Sequence, residues 1–392
     1  MKRICMIAFL IIATSLRAGW EPPESTCTTN NLNAIYFLDA NQGWVAGDIG
    51  TICNSTDGGR IWKPQHEGPY PYDLNDLFFI TEMVGWAVGS SGRILHTVDG
   101  GAVWTENTIA VYDLHAVHFV DSAFGVIVGG SGLFLLTTDG GENWSDTLIS
   151  YASLYDVHFY NRQIGWCTGL NVLCRTVDGG ATWNCFPPGY PLYALSFPDS
   201  LYGWACGAAG VVCHTTDAGE NWDCAQRIAF TLFGIGFCDR VNGWAVGDNA
   251  TILHTEDGGE LWELETLGSY ALNDVFFIDC DDGWACGDGG TILIRTTGLQ
   301  EIPVIKSTSG FQAFPNPFAD EAFFSLPQPG SLTIFDSSGR MVREFPVERR
   351  SMLIWDGTNS WGRSLPAGLY FYTYRRPDLT ISGKLVRLHS TD

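Results

Sequence analysis

Six carboxylates stand at one place in a recurring pattern, Ser/Thr-x-Asp-x-Gly-x-x-Trp: Asp57, Asp99, Asp139, Asp178, Asp217 and Asp257. Two acids facing each other across a cleft can protonate a leaving group and activate water, the chemistry of glycosidic cleavage. Each of these acids, however, is followed by a Gly pair, or by Ala218-Gly219 in one copy, which permits backbone angles that other residues resist. A carboxylate in such a place accepts backbone N–H bonds two residues on and closes a turn. The pattern therefore reads as bracing rather than as catalysis.

Other residues able to do chemistry are spaced by the same rhythm. An aromatic stands just before each of six apolar runs: Tyr72, Tyr112, Tyr151, Tyr190, Phe230 and Tyr270, with Asp73 and Asp113 beside two of them. Aromatic faces with nearby acids suit sugars or extended peptides; the alternative is that each ring plugs a gap between neighbouring units. His96, His214 and His254 share one repeat position and are expected to be structural. His115, His118 and His158 fall on apolar runs of adjacent repeats, where packing competes with metal or ligand contact. Asp48, Asp248 and Asp288 follow Gly in turns and need no calcium to explain them. Twelve cysteines occur, Cys5 within the N-terminal leader. Cys53, Cys174 and Cys213 take a position held elsewhere by Leu, as small buried hydrophobes would. Cys174–Cys185 and Cys213–Cys224 share one spacing across equivalent hairpins, so in an oxidising compartment both could be cross-strand disulfides. No metal or cofactor is expected.

The elements that position these residues repeat about every 40 residues, the mark of a propeller or solenoid. Gly-Trp recurs at Gly43-Trp44, Gly85-Trp86, Gly165-Trp166, Gly203-Trp204, Gly243-Trp244 and Gly283-Trp284, with Gly125-Val126 in the remaining register. In the repeat at 74–106, Leu74 to Ile80, Gly85 to Gly89, Arg93 to Thr97 and Val103 to Glu106 read as four short antiparallel strands. Apolar residues on both faces imply sheets sandwiched between neighbours, as propeller blades are.

The acidic pattern resembles the Asp-box, or bacterial neuraminidase repeat, and Gly-Trp-Ala-Val-Gly resembles the seven-bladed photosystem II assembly-factor propeller family. The resemblance covers roughly Leu32 to Thr297 and implies an all-β, seven-bladed β-propeller. Asp-boxes brace many unrelated propellers, so they imply fold rather than function. Seven Gly-Trp registers but six Asp-boxes leave one unit without its outer strand. Trp20 precedes Trp44 by the same interval that separates Trp62 from Trp86, so the N-terminus is expected to complete the seventh blade. Sialidase chemistry would require three arginines on a carboxylate and a Tyr-Glu nucleophile pair. Arg60, Arg93, Arg162, Arg175, Arg227, Arg240 and Arg295 show no such grouping, and no Arg-Ile-Pro motif occurs. The competing function is a secreted glycoside hydrolase, sialidase-like or xyloglucanase-like, on the same scaffold.

Lys2 and Arg3, then an apolar run from Ile4 to Leu16, read as a signal peptide cut after Ser15 or Ala18, too short to span a bilayer. No later segment could span one. Residues 19–310 carry 9 Lys+Arg against 35 Asp+Glu, a net of −26, whereas 311–392 carry 9 against 8. Such an acidic body disfavours nucleic acid and anionic lipid. Residues 19–299 are expected to form the propeller, 300–310 a linker and 311–392 a small Ig-like β-sandwich. Phe314-Pro315-Asn316-Pro317-Phe318, Asp336-Ser337-Ser338-Gly339, Pro366-Ala367-Gly368-Leu369-Tyr370 and Lys384-Leu385 resemble, in that order, the C-terminal sorting domain of the type IX secretion system and the Ig-like domain of the flagellar hook-capping protein. The resemblance implies export by a Gram-negative bacterium, with the secretion machinery as one partner. A protein or polysaccharide at the propeller face would be the other.

Overall fold

The computed structural model describes residues 19–66, 72–266, 269–296, 312–314, 322–326, 329–336, 340–347, 351–376 and 379–387. The leader at 1–18, the linker at 300–310, Pro315 to Phe318 and Ser337 to Gly339 lie outside the described residues. The chain divides into two compact units, 1–298 and 299–392.

The first unit is propeller-like. Among the described residues it contains seven four-stranded antiparallel sheets, numbered here by the order of their first strands. Those first strands are Leu32–Phe37, Leu74–Phe79, Leu114–Phe119, Leu154–Phe159, Leu192–Ser196, Leu232–Phe237 and Leu272–Phe277. Each adjoins the first strand of the next sheet, and Leu272–Phe277 adjoins Leu32–Phe37, so the cycle is closed. From its glycine onward every second strand is buried, as between stacked sheets it must be, and only Asp282, which opens that of sheet 7, is half-buried.

Gly-Trp has a steric basis. A Cβ on Gly85 would lie 2.5 Å from the ring of Phe79, on the first strand of its own sheet. Gly125 meets Phe119 in the same way, which is why the glycine persists where the tryptophan has become Val126. The tryptophan points toward the next sheet. Trp44 stacks on Phe79 at 3.6 Å, Trp86 on Phe119 at 3.7 Å and Trp166 on Phe197 at 3.7 Å. At the junction of sheets 3 and 4, where the tryptophan is missing, Phe124 and Phe134 approach Phe159 instead.

The fourth strand of sheet 2 runs over Thr105–Thr108, two residues beyond the start read from the sequence. The shift arises because the amide of Val103 is held in the preceding turn by Asp99. In sheet 7 the outermost position is taken by Gly19–Glu21, paired antiparallel with Thr291–Thr296 so that Trp20 lies opposite Arg295. Trp20 meets Phe277 edge-on at 6.0 Å and 82°, the geometry that Trp62 adopts against Phe37. Its ring joins a cluster with Trp244, Val246 and Ile252 of sheet 6; Trp284 packs on the other side of its sheet, toward sheet 1.

Four disulfides are formed among the described residues. Cys174–Cys185 and Cys213–Cys224 cross third and fourth strands. Cys27–Cys53 ties the segment after the N-terminal strand to sheet 1, and Cys238–Cys280 joins sheets 6 and 7. Cys53 and Cys213 are therefore half-cystines, as is Cys174, rather than free hydrophobes. Cys167, Cys206 and Cys286 are free and buried.

The second unit has two antiparallel sheets. One orders Gln312–Phe314, Ala322–Leu326 and Ser351–Trp355; the other orders Met341–Val347, Gly330–Asp336, Gly368–Arg376 and Leu379–Arg387. A single core draws on both, with Phe324 and Trp355 from the first and Leu332, Ile334, Tyr374 and Leu385 from the second.

Trp20→Ala removes the edge-on partner of Phe277 and the anchor of the outermost strand. It should cost about 3 kcal/mol, as large-to-small core changes do, read as a lower midpoint in urea unfolding of the full chain. An unchanged midpoint would mean that the short strand contributes nothing to holding sheet 7.

Candidate functional site

The six repeated acids are committed to their turns. The Thr97 hydroxyl donates to Asp99 Oδ1 at 2.9 Å and accepts the Gly101 N–H at 2.9 Å, while Asp99 Oδ1 accepts the Val103 N–H at 2.9 Å. The arrangement recurs at Asp57, Asp139, Asp178, Asp217 and Asp257. The carboxylate therefore caps an amide four residues on, rather than two as read from the sequence. The hydroxyl fills the near position, and two glycines with positive φ (74° and 89° at Gly100 and Gly101) carry the chain back to the acid. The hydrogen bonds favour the ionised form: the Val103 amide is the largest influence lowering Asp99, and the Asn221 side chain helps bring Asp217 down to about 2.

The aromatics before the first strands occupy equivalent points beside the loops between second and third strands. Tyr112 lies against Gly130 and Tyr270 against Gly289. Tyr112, Tyr190, Phe230, Tyr270 and Tyr151 are exposed, from 39% at Tyr190 to complete exposure at Tyr151. Tyr72 differs: it is half-buried beneath the Arg93 guanidinium, 3.4 Å from its ring centre. Asp73 and Asp113 accept the amides of Ile49 and Ser91, residues at positive φ in the neighbouring loops.

The cycle of first strands encloses a channel whose wall was largely missed by reading the sequence. Every first strand begins with a bulge after its leucine, which turns successive residues inward. The second position carries Asn33, Asn75, His115, Tyr155, Tyr193, Phe233 and Asn273 around the cycle. His115, Tyr155, Tyr193 and Phe233 form a continuous arc, with ring centres 5.4, 5.3 and 5.7 Å apart. The third position carries Asp76, Asp156 and Asp274 where the other sheets have Ala or Gly. Each of these acids bridges two sheets. Asp76 accepts the amides of Leu77 and Val117, Asp156 those of Val157 and Leu195, and Asp274 those of Val275 and Ile35, all at 2.7–2.9 Å. Burial nonetheless dominates, raising Asp156 and Asp274 to about 7 and Asp76 well above its ordinary value. The signal present in the sequence was the recurrence of Asp at one register in Leu-Asn-Asp, Leu-Tyr-Asp and Leu-Asn-Asp.

Deeper in the channel, His118 and His158 lie 4.8 Å apart between ring centres, and the His118 Nε2 is 3.0 Å from the Phe159 carbonyl. Burial lowers His118 to about 4 and holds His158 well below its ordinary value, so both are neutral near pH 7. His96, His214 and His254 stack on the Gly-Trp rings of their own sheets at 4.5–5.0 Å. The arginines do not converge: Arg162 pairs with Asp121, Arg175 with Glu220 and Arg240 with Asp199, each joining neighbouring sheets. Among the described residues, one group of potential metal ligands is close enough to share an ion, Cys238, Asp239 and Cys280, and its sulfurs are joined in a disulfide.

Three consecutive stretches, 67–152, 147–230 and 225–306, match the family described as photosynthesis system II assembly factor YCF48, together more than half of the chain. The chain belongs to this family. Among solved structures it is similar to one titled YCF48 bound to D1 peptide, with 20% identity over 72% of this chain and 99% of that one, at a TM-score of 0.61. YCF48 from Cyanidioschyzon merolae gives 19% identity over 71% and 99% of the two chains, also at 0.61. The WD40 β-propeller domain of Doa1 gives 12% identity over 73% and 98%, at 0.62, a likeness of fold. No curated protein matches.

The channel acids give stability a pH dependence of defined sign. Asp156 and Asp274 titrate near 7 folded against about 3.9 unfolded, so their contribution is fully present below about pH 4 and is lost as pH rises toward 7. Asp217 acts in the opposite sense, losing its contribution as pH falls below about 4 toward 2. The full chain with Asp156→Asn should show a shallower fall in thermal midpoint between about pH 4 and 7 than the native chain. Parallel profiles would mean that Asp156 titrates alike folded and unfolded.

Proposed function

We propose that this protein is a secreted or surface-displayed, seven-bladed β-propeller that binds a partner and catalyses no reaction. The family is that of an assembly factor, and one structural relative is titled as holding a peptide, which supports a protein partner at the propeller. The observation that carries the reading is the division of labour among side chains. The Asp-box and channel acids already accept protein amides, whereas five aromatics stand free around one end of the channel. Extended peptides are recognised by such surfaces through ring burial, worth roughly 1–3 kcal/mol per ring.

The second unit we read as an Ig-like sandwich that sorts the protein for export across the outer membrane, following a signal peptide at 1–18. Its two sheets around one core and the order of its motifs support this reading. In the first unit, the cycle of sheets closed by the N-terminal strand supports an independently packed ring.

Replacing Tyr112, Tyr151 and Tyr190 together by Ala should remove binding in a peptide and glycan array while leaving the thermal midpoint nearly unchanged. Unfolding of the variant would make the rings structural, and turnover of any glycan by the native chain would overturn the non-enzymatic reading. Deleting 311–392 should leave a folded first unit retained in the periplasm; its normal appearance outside the cell would refute the sorting role.

A further inference from the structure

We infer that the channel mouth receives a lysine or arginine side chain from the bound peptide, an inference that rests on the partner-binding reading above and names the chemistry of its site. Three kinds of group converge there, and all are electron-rich. The first is the arc of Tyr155, Tyr193 and Phe233, half-buried rings whose faces attract cations. The second lies across the mouth. Asn33, Asn75 and Asn273 each donate their side-chain N–H to the main-chain carbonyl of the next sheet, Leu74, Leu114 and Leu32 respectively, at 2.7–2.9 Å. Those bonds fix which end of each amide is nitrogen. The three Oδ1 atoms have no hydrogen-bond partner among the described residues and are not sealed from solvent. They can only accept. The third is the set of carboxyls one residue deeper, Asp76, Asp156 and Asp274, close enough that Asp156 and Asp274 both disfavour ionisation of Asp76.

Among the described residues of the first strands, nothing cationic answers them. The seven first strands contain no Lys or Arg, and burial keeps His115, His118 and His158 in their neutral forms. The surrounding chain from 19 to 310 carries a net charge of −26, which steers a positive partner to this unit. A guanidinium or ammonium group on a flexible stem satisfies the whole arrangement: its stem lies along the rings, its N–H groups reach the amide oxygens, and its charge faces the carboxyls. An acidic peptide would bring like charge to the carboxyls, and a neutral one would bring no charge to answer them. A cation also resolves the repulsion among the acids, so its binding releases protons from them. The other titratable groups facing these acids are Cys167, Cys206 and Cys286, whose thiols burial holds far above neutrality. Between pH 6 and 8 Asp156 and Asp274 are therefore the groups that change charge, and binding strengthens as pH rises.

Calorimetric titration of the full chain tests this with two capped peptides, Gly-Gly-Arg-Gly-Gly and Gly-Gly-Gln-Gly-Gly, and with spermidine. The arginine peptide should bind at least about tenfold more tightly than the glutamine one. Tyr193→Leu and Asp156→Asn should each remove most of that difference, and the native affinity should rise from pH 6 to 8. Equal affinity for the two peptides would overturn the inference, as would a preference surviving both substitutions. Spermidine binding as tightly as the arginine peptide, and displacing it, would assign the mouth to a free polyamine and overturn the peptide assignment. Array binding that depends on Tyr112, Tyr151 and Tyr190, without any preference for arginine, would sink this inference and leave the partner-binding reading standing.

Discussion

The first unit depends on one repeated contact, a phenylalanine held between two tryptophans. The last apolar residue of a first strand lies flat on the Gly-Trp ring of the preceding sheet and edge-on to the outer tryptophan of its own. Phe37 does this with Trp284 at 3.6 Å and Trp62 at 5.9 Å, and Phe237 with Trp204 at 3.7 Å and Trp262 at 5.9 Å. Both geometries suit the ring quadrupole, and each ring buries a large apolar area. The contact couples three elements distant in sequence, so no sheet can be removed without stripping two neighbours. It also dictates the small residues: the glycine before each tryptophan exists to admit the phenylalanine.

Hydrogen bonding follows from the same contact. Trp166, Trp204 and Trp284 donate their indole N–H to the turn of the next sheet, at Ala218, Gly258 and Gly58. The repeated aspartate that shapes that turn is thereby tied to the interface. At Trp44 the equivalent carbonyl, Gly100, is taken by Gln65, and the indole N–H has no partner among the described residues. The repeat is therefore a packing rule with tolerated local exceptions, as the pair Phe124 and Phe134 also shows.

Packing by large rings leaves the inner strands free to carry polar residues. Their backbones are not laddered from sheet to sheet, and Asp76, Asp156 and Asp274 supply amide acceptors across three of the junctions. This fixes carboxyls around the channel at the cost of raised protonation. At the mouth and rim the ring contact imposes no residue type.

The sequence by itself determined the repeat, its four-stranded unit and the identity of the bracing residues, because a structure of stacked copies must write its packing rule into every copy. Trp20 was legible for that reason: it keeps the interval of the other outer tryptophans although it lies at the far end of the chain. The Cys174–Cys185 and Cys213–Cys224 pairings were legible because each joins strands of one hairpin, whose register spacing reveals. Cys27–Cys53 and Cys238–Cys280 were not, since closure and inter-sheet proximity bring those sulfurs together. The tertiary structure alone decided which way the first-strand residues face, because a bulge after each leucine breaks the simple alternation on which sequence reading relies. Only there did Asn33, Asn75, Tyr155, Tyr193, Phe233 and the three aspartates become one surface. Each is unremarkable within its own repeat, and their chemistry arises from the cycle that sets seven different residues around one axis.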